Sequence, residues 1–176
     1  MNRHPWARLA AWLIDLMCIG GWVAVLAAVG ATLYATGVVR GLSVEAGNVV
    51  SFLVLVAPVT VALAWFESGP GQATVGKRAR RLRVVDAGTR SPIPLRRALL
   101  RNAVLLTVPW ELGHVVAYGL YGASGGVPGW LMAVAVAANL VPAVYVATLF
   151  VPPGRTPADW LSRTVVVPAN QENWSS

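Results

Sequence analysis

The chain has 176 residues, of which 56% are hydrophobic and only 12% charged, and its mean hydropathy is +0.61. Soluble domains carry about 25% charged residues, so the balance points away from a soluble enzyme and towards a membrane. Net charge is +7, from 14 Lys and Arg against 7 Asp and Glu, and Cys18 is the sole cysteine, which rules out an intramolecular disulfide.

Four apolar segments are long enough to cross a bilayer, which needs about 20 residues of helix. The first runs from about Leu9 to Tyr34 and contains Asp15. A carboxylate deep in a spanning helix costs about 2.5–3.5 kcal/mol on insertion scales, so it is expected to be paired or to face a cavity. The run is longer than the apolar core of a signal peptide, and a retained first helix is expected. The second segment covers about Val49 to Phe66, the third Leu99 to Tyr118 and the fourth Trp130 to Phe150. Pro58, Pro109 and Pro142 fall inside the last three, where neighbouring helices can satisfy the freed carbonyls. Glycines at 37, 41 and 47, and at 125, 126 and 129 with Pro128, mark short connections on one side.

The connection between the second and third spans is different. Leu82 to Asp86 reads as an extended run, Asp86–Thr89 as a turn, and Pro92 and Pro94 precede a helical stub, Leu95 to Arg101. This loop carries Lys77, Arg78, Arg80, Arg81, Arg83, Arg90, Arg96 and Arg97. Arg3 and Arg8 precede the first span, and Arg155 and Arg163 follow the fourth, whereas only Arg40 lies between the first two. The positive-inside rule then puts both termini and the basic loop in the cytoplasm. Trp6, Trp65 and Phe66 fall at the inner interface, and Tyr34, Tyr118, Tyr121 and Trp130 at the outer one. The expected fold is an all-α bundle of four transmembrane helices with a basic, partly structured inner loop. It forms a single domain over residues 1–168, followed by a short polar tail, 169–176.

Arg8 and Asp15 lie two helical turns apart on one face, with about 10 Å of rise between them, too far for direct contact unless Arg8 bends inward. Arg101, at the inner end of the third span, is the better partner for Asp15 on depth. Such a pair can pin the first helix to the third, the commoner use of buried ion pairs, or it can be a cation or proton site gated by Arg101. Glu111 and His114 share a face of the third span, as secondary intramembrane polar groups. One Glu-x-x-His with a single further histidine, His4, is too few ligands for a metal centre. Asn139 in the fourth span is either a lining group or an interhelical hydrogen-bond donor.

Gly71 to Lys77 has the spacing of a phosphate-binding loop, but Arg78 replaces the magnesium-binding hydroxyl and the segment follows a helix, so nucleotide binding is rejected. No serine is placed with a histidine and an acid, so no enzyme is expected, and nothing calls for a cofactor or metal. The basic loop lacks the motifs of a nucleic-acid binder. Anionic lipid is its expected partner, at about 1 kcal/mol per base near the surface.

Arg8-Leu9-Ala10-Ala11 with Asp15, Thr74-x-Gly76-Lys77, Leu82–Asp86 including Arg83, Arg101, and Asp159 followed by Thr164-Val165-Val166 together resemble the RDD family of small bacterial multi-pass membrane proteins. The similarity runs from Arg8 to Val167. The resemblance implies that Arg8 and Asp15 are the family's arginine and first aspartate, with Asp159 best matching the second and Asp86 next. It departs from the usual pattern at Ala79-Arg80-Arg81 and Ser162-Arg163. For function it implies a plasma-membrane protein, with cation/proton transport proposed for some members. A small ion-coupled transporter or transporter subunit is therefore expected, and a scaffold or accessory subunit is the alternative. Four spans are few for a transport path, so an oligomer or a larger membrane complex is expected.

Overall fold

The computed structural model describes residues 4–39, 41–122 and 126–170. Arg3, Arg40, Gly125 and the tail beyond residue 170 lie outside the described residues.

Four helices are long and apolar enough to span a membrane: Pro5–Ala35, Glu45–Ser68, Leu95–Tyr121 and Gly129–Phe150. Each extends beyond the run read from the sequence, because polar ends continue the helical hydrogen bonding once the apolar middle is in place. Helix α1 is Pro5–Ala35. The second span is built from α2 (Val44–Ser51), a π-helical turn over Phe52–Val56, and α3 (Ala57–Ser68). The third repeats that construction with α5 (Leu95–Asn102), a π turn over Ala103–Thr107, and α6 (Val108–Gly122). The fourth is α7, Gly129–Phe150.

Both π turns end two residues before a proline, Pro58 or Pro109. Proline has no N–H to donate and its ring crowds the carbonyl one turn back, so the helix widens locally. The carbonyls released are answered from other spans. The Trp22 indole donates to the Val54 carbonyl at 3.3 Å, and the Tyr145 hydroxyl donates to the Val104 carbonyl at 2.8 Å. Two hydroxyl pairs join the second and third spans, Thr60–Thr107 at 2.8 Å and Ser51–Tyr118 at 2.6 Å. Side chains such as Val25, Val29, Val136, Leu140 and Val144 face outward, as expected where lipid rather than a protein core solvates them.

The buried core lies at the other end of the molecule. The loop between the second and third spans forms α4 (Val75–Ala79) and β1 (Leu82–Asp86). After the fourth span come α8 (Pro157–Leu161) and β2 (Thr164–Pro168). The two strands pair antiparallel, from Leu82 opposite Pro168 to Asp86 opposite Thr164. Val84 joins Ala64, Ile93 and Ala98 in one apolar cluster, while Val85, Val165 and Val167 form a second. The run Thr164–Val167 is β-branched throughout, which suits a strand. The extended run Leu82–Asp86 is therefore half of a two-stranded sheet that closes the loop onto the segment after the last span.

An electroneutral charge network beneath an intramembrane cavity

Arg101 is the hub. Its side chain is 2% exposed, and it lies in α5 at the inner end of the third span. Its Nη1 donates to Glu67 Oε1 at 2.6 Å and its Nε to Asp159 Oδ1 at 3.0 Å. Asn102, one residue on, donates to Glu67 Oε2 at 2.8 Å. Lys77 Nζ stands 2.9 Å from Glu67 Oε1. Glu67 thus has each carboxylate oxygen occupied although it is wholly buried.

Asp159 is held as tightly. The capping box of α8 gives it the Thr156 amide at 3.0 Å. Arg8 reaches from α1 to Asp159 Oδ2 at 2.6 Å and also donates to the Gly154 carbonyl. Burial by itself would raise the Asp159 carboxyl, but the Arg101 and Arg8 guanidiniums outweigh it and hold it well below the usual carboxylate range.

Asp15 sits differently. It accepts the Thr74 hydroxyl at 2.6 Å and the Gly76 amide at 2.7 Å, and Lys77 Nζ is 3.9 Å away. Thr74 is the N-cap of α4, so the phosphate-loop-like spacing of Gly71–Lys77 serves the chain's own carboxylate. Gly76 is required by this approach: a Cβ there would lie 1.9 Å from the Ala11 carbonyl oxygen. The expected Asp15–Arg101 pair is not formed. Arg101 is drawn to Glu67 and Asp159, which approach it from two sides, and Asp15 is answered by the loop.

Arg8, Lys77 and Arg101 balance Asp15, Glu67 and Asp159, so the buried cluster is electroneutral. Every span contributes at least one member or flanks one. Glu67 and Asn102 were not anticipated from the sequence. The available signal was an acid in the last turn of an apolar span, at the same depth as Arg101. Arg83 and Asp86 stand outside the cluster. Asp86 caps its turn through the Gly88 and Thr89 amides, at 2.7 and 2.8 Å, and pairs with Arg97 at 2.5 Å. The Thr89 amide, the Arg97 guanidinium and the Gly88 amide hold its carboxyl well below the usual range.

Above the network lies a cavity of about 340 Å³ between the first, third and fourth spans. Arg8, Asp15, Lys77, Arg101 and Asn102 line its charged end, and Trp12, Leu106 and Tyr145 are among its apolar walls. Trp110 also lines it and donates to His114 Nε2 at 2.8 Å. His114 Nδ1 is 3.7 Å from Glu111 Oε1, and both atoms are buried without a hydrogen bond among the described residues. Asn139 is neither a lining group nor an interhelical donor. It is exposed and donates to Ala135 of its own helix at 2.8 Å. Among the described residues no group of three or more His, Cys, Asp or Glu is placed to hold a metal ion.

Four apolar helices, with an internal charge cluster and a cavity between them, define a multi-pass membrane protein. The chain belongs to the RDD family, whose family model matches residues 3–128. The match is shorter than the span of motifs read from the sequence, and Asp159 lies beyond it, whereas Asp86 lies within it. No curated protein and no solved structure matches the chain.

Proposed function

We propose that the protein is a small cation/proton transporter, or the ion-handling subunit of one, in a bacterial plasma membrane, with both termini and the basic loop cytoplasmic. The reading rests on one observation: of the three buried acids in the network, Asp15 alone has no arginine contact, and it alone lines the cavity. A carboxylate that exchanges a proton for a cation must be reachable and must not be locked to a permanent charge. Asp159 and Glu67, each bonded to Arg101, serve as latches. Lys77, shared between Glu67 and Asp15, neutralises Asp15 whenever it is empty. Glu111 and His114 lie further out on the third span and give protons a route towards the outer face. Orientation is supported by the clustering of bases on one side. No catalytic step is assigned to the chain.

The test is flux in proteoliposomes. Cation-driven proton movement is expected for wild type, lost in Asp15→Asn and kept in Asp86→Asn, which alters an acid outside the network. A folded wild type that moves no ions would overturn the transport reading. A scaffold or accessory role would then stand, favoured by the saturation of the network, and a stoichiometric co-purifying partner would support it. A reporter inserted after Gly88 is expected to be active only as a cytoplasmic fusion, and an extracytoplasmic signal would refute the orientation.

A further inference from the structure

A second pocket, of about 320 Å³, opens beside the start of the inner loop, lined by Gly71, Gln72, Ala73, Arg78, Arg81 and Arg83 among others. Three of its residues are arginines, and no acid lines it among the described residues. Topology signalling explains why bases are present, but not why one is immobilised. The Arg78 guanidinium lies over the Phe66 ring at 5.5 Å to its centroid. Its Nε donates to the Ala73 carbonyl at 3.0 Å. It also packs on Gly71, where a Cβ would stand 3.0 Å from Nη2. That leaves the Nη groups without a hydrogen bond among the described residues, a planar donor fork oriented through its Nε, the geometry that suits phosphate.

Depth favours a lipid as the source of that phosphate. Phe66 is in the last turn of the second span, and its neighbour Trp65 is 67% exposed, as suits a tryptophan at the headgroup level. The pocket begins at Pro70, two residues past the span's last residue, Ser68. We propose that this pocket is a binding site for the phosphate of an anionic phospholipid headgroup, with Arg78 as the oriented donor and Arg81 and Arg83 supplying field. The site is separate from the Asp15 cavity and does not depend on transport.

Native mass spectrometry of the detergent-purified full chain tests it, with phosphatidylglycerol, phosphatidylcholine and inorganic phosphate as probes. Wild type is expected to retain phosphatidylglycerol in preference to phosphatidylcholine. Arg78→Gln and Arg81→Gln are each expected to weaken retention about fivefold, the effect of one base at an anionic surface. Arg96→Gln removes the same charge away from the pocket and is expected to change retention little. Arg81 is exposed, so its variant reports on the site even if Arg78→Gln unfolds the loop. Equal losses from Arg81→Gln and Arg96→Gln would mean diffuse attraction and overturn the proposal, as would the absence of a lipid preference. Displacement of the lipid by inorganic phosphate at low millimolar concentration would make the ligand a soluble phosphate and refute the lipid assignment.

Discussion

Gly76→Ala is the sharpest probe of how α4 docks on α1. The added Cβ would fall 1.9 Å from the Ala11 carbonyl oxygen, 2.9 Å from its carbon and 3.0 Å from Asp15 Cγ. The first two are backbone atoms of a long helix, so relief requires α4 to move as a body. Overpacking of this kind costs about 1–3 kcal/mol. The shift also breaks the Gly76 amide bond to Asp15, 2.7 Å in the native chain, and hydrogen bonds to charged groups contribute about 1.5–3 kcal/mol. Together the loss is about 2.5–6 kcal/mol, which at about 2–4 °C per kcal/mol corresponds to a Tm lower by about 5–24 °C. Replacing a helical glycine by alanine also gains about 1 kcal/mol of propensity, so the proper reference is Gly113→Ala. A Cβ at Gly113 meets nothing within 4 Å, and that variant shares the propensity gain. The assay is thermal unfolding of both purified variants in one detergent. If Gly76→Ala melts no lower than Gly113→Ala, the close approach of α4 to α1 is wrong, and with it the account of how Asp15 is held.

Asp159→Asn leaves Arg8 and Arg101 facing a neutral group in a buried site. Breaking one partner of such a network is expected to cost about 3–5 kcal/mol at neutral pH, read as a lower Tm. The pH dependence has a defined sign. The folded Asp159 carboxyl lies below its ordinary value, so its stabilisation is complete above about pH 3.9 and is lost as pH falls through the folded value. The acid limb of wild-type stability below about pH 4 should accordingly be shallower in Asp159→Asn, and an unchanged limb would contradict the assignment. Tyr145→Phe removes the hydroxyl that answers the Val104 carbonyl, at an expected cost of about 0.6–1.7 kcal/mol within a membrane. Pro109→Ala restores an amide able to reach that carbonyl, so the Tyr145→Phe penalty should shrink in the Pro109→Ala background. Additive penalties in the double-mutant cycle would show that the proline does not set the demand for Tyr145.

The spans were legible because apolar runs of bilayer length admit few alternatives to helix, and the helix stub before the third span because Pro92 and Pro94 fix its start. What local sequence could not carry was pairing at a distance. Arg101 and Asp159 are far apart in the chain, and nothing in periodicity says that a carboxylate after the fourth span folds back to meet a guanidinium at the foot of the third. Depth matching brought Arg101 and Asp15 to the same level, but it ignored competition. Glu67 and Asp159 are both near enough to bond Arg101 directly, and they fix its guanidinium towards themselves while Asp15 is answered by Thr74 and Gly76. Strand β2 was missed because four β-branched residues followed by a proline give too short a run, with no alternation, to read.

Lys77 is shared unequally between two of the buried acids. It stands 2.9 Å from Glu67 and 3.9 Å from Asp15, so it belongs to one carboxylate and leans on the other. Glu67 keeps Arg101 and Asn102 if Lys77 moves. Were Asp15 to take up a proton or a cation as proposed, Lys77 would retain Glu67 as its counter-ion, and no charge would be left buried and unanswered. Protonating Glu67 or Asp159 instead would leave Arg101 short of a partner. On the proposed reading, the same six charged groups hold the fold through Glu67 and Asp159 and leave Asp15 without an arginine contact, so latch and ion site need not compete. Lys77→Gln separates the two roles. It leaves Arg101 and Asn102 on Glu67, so folding should persist, while Asp15 loses the ammonium 3.9 Å away, and the proposed cation-coupled flux should change in proton dependence.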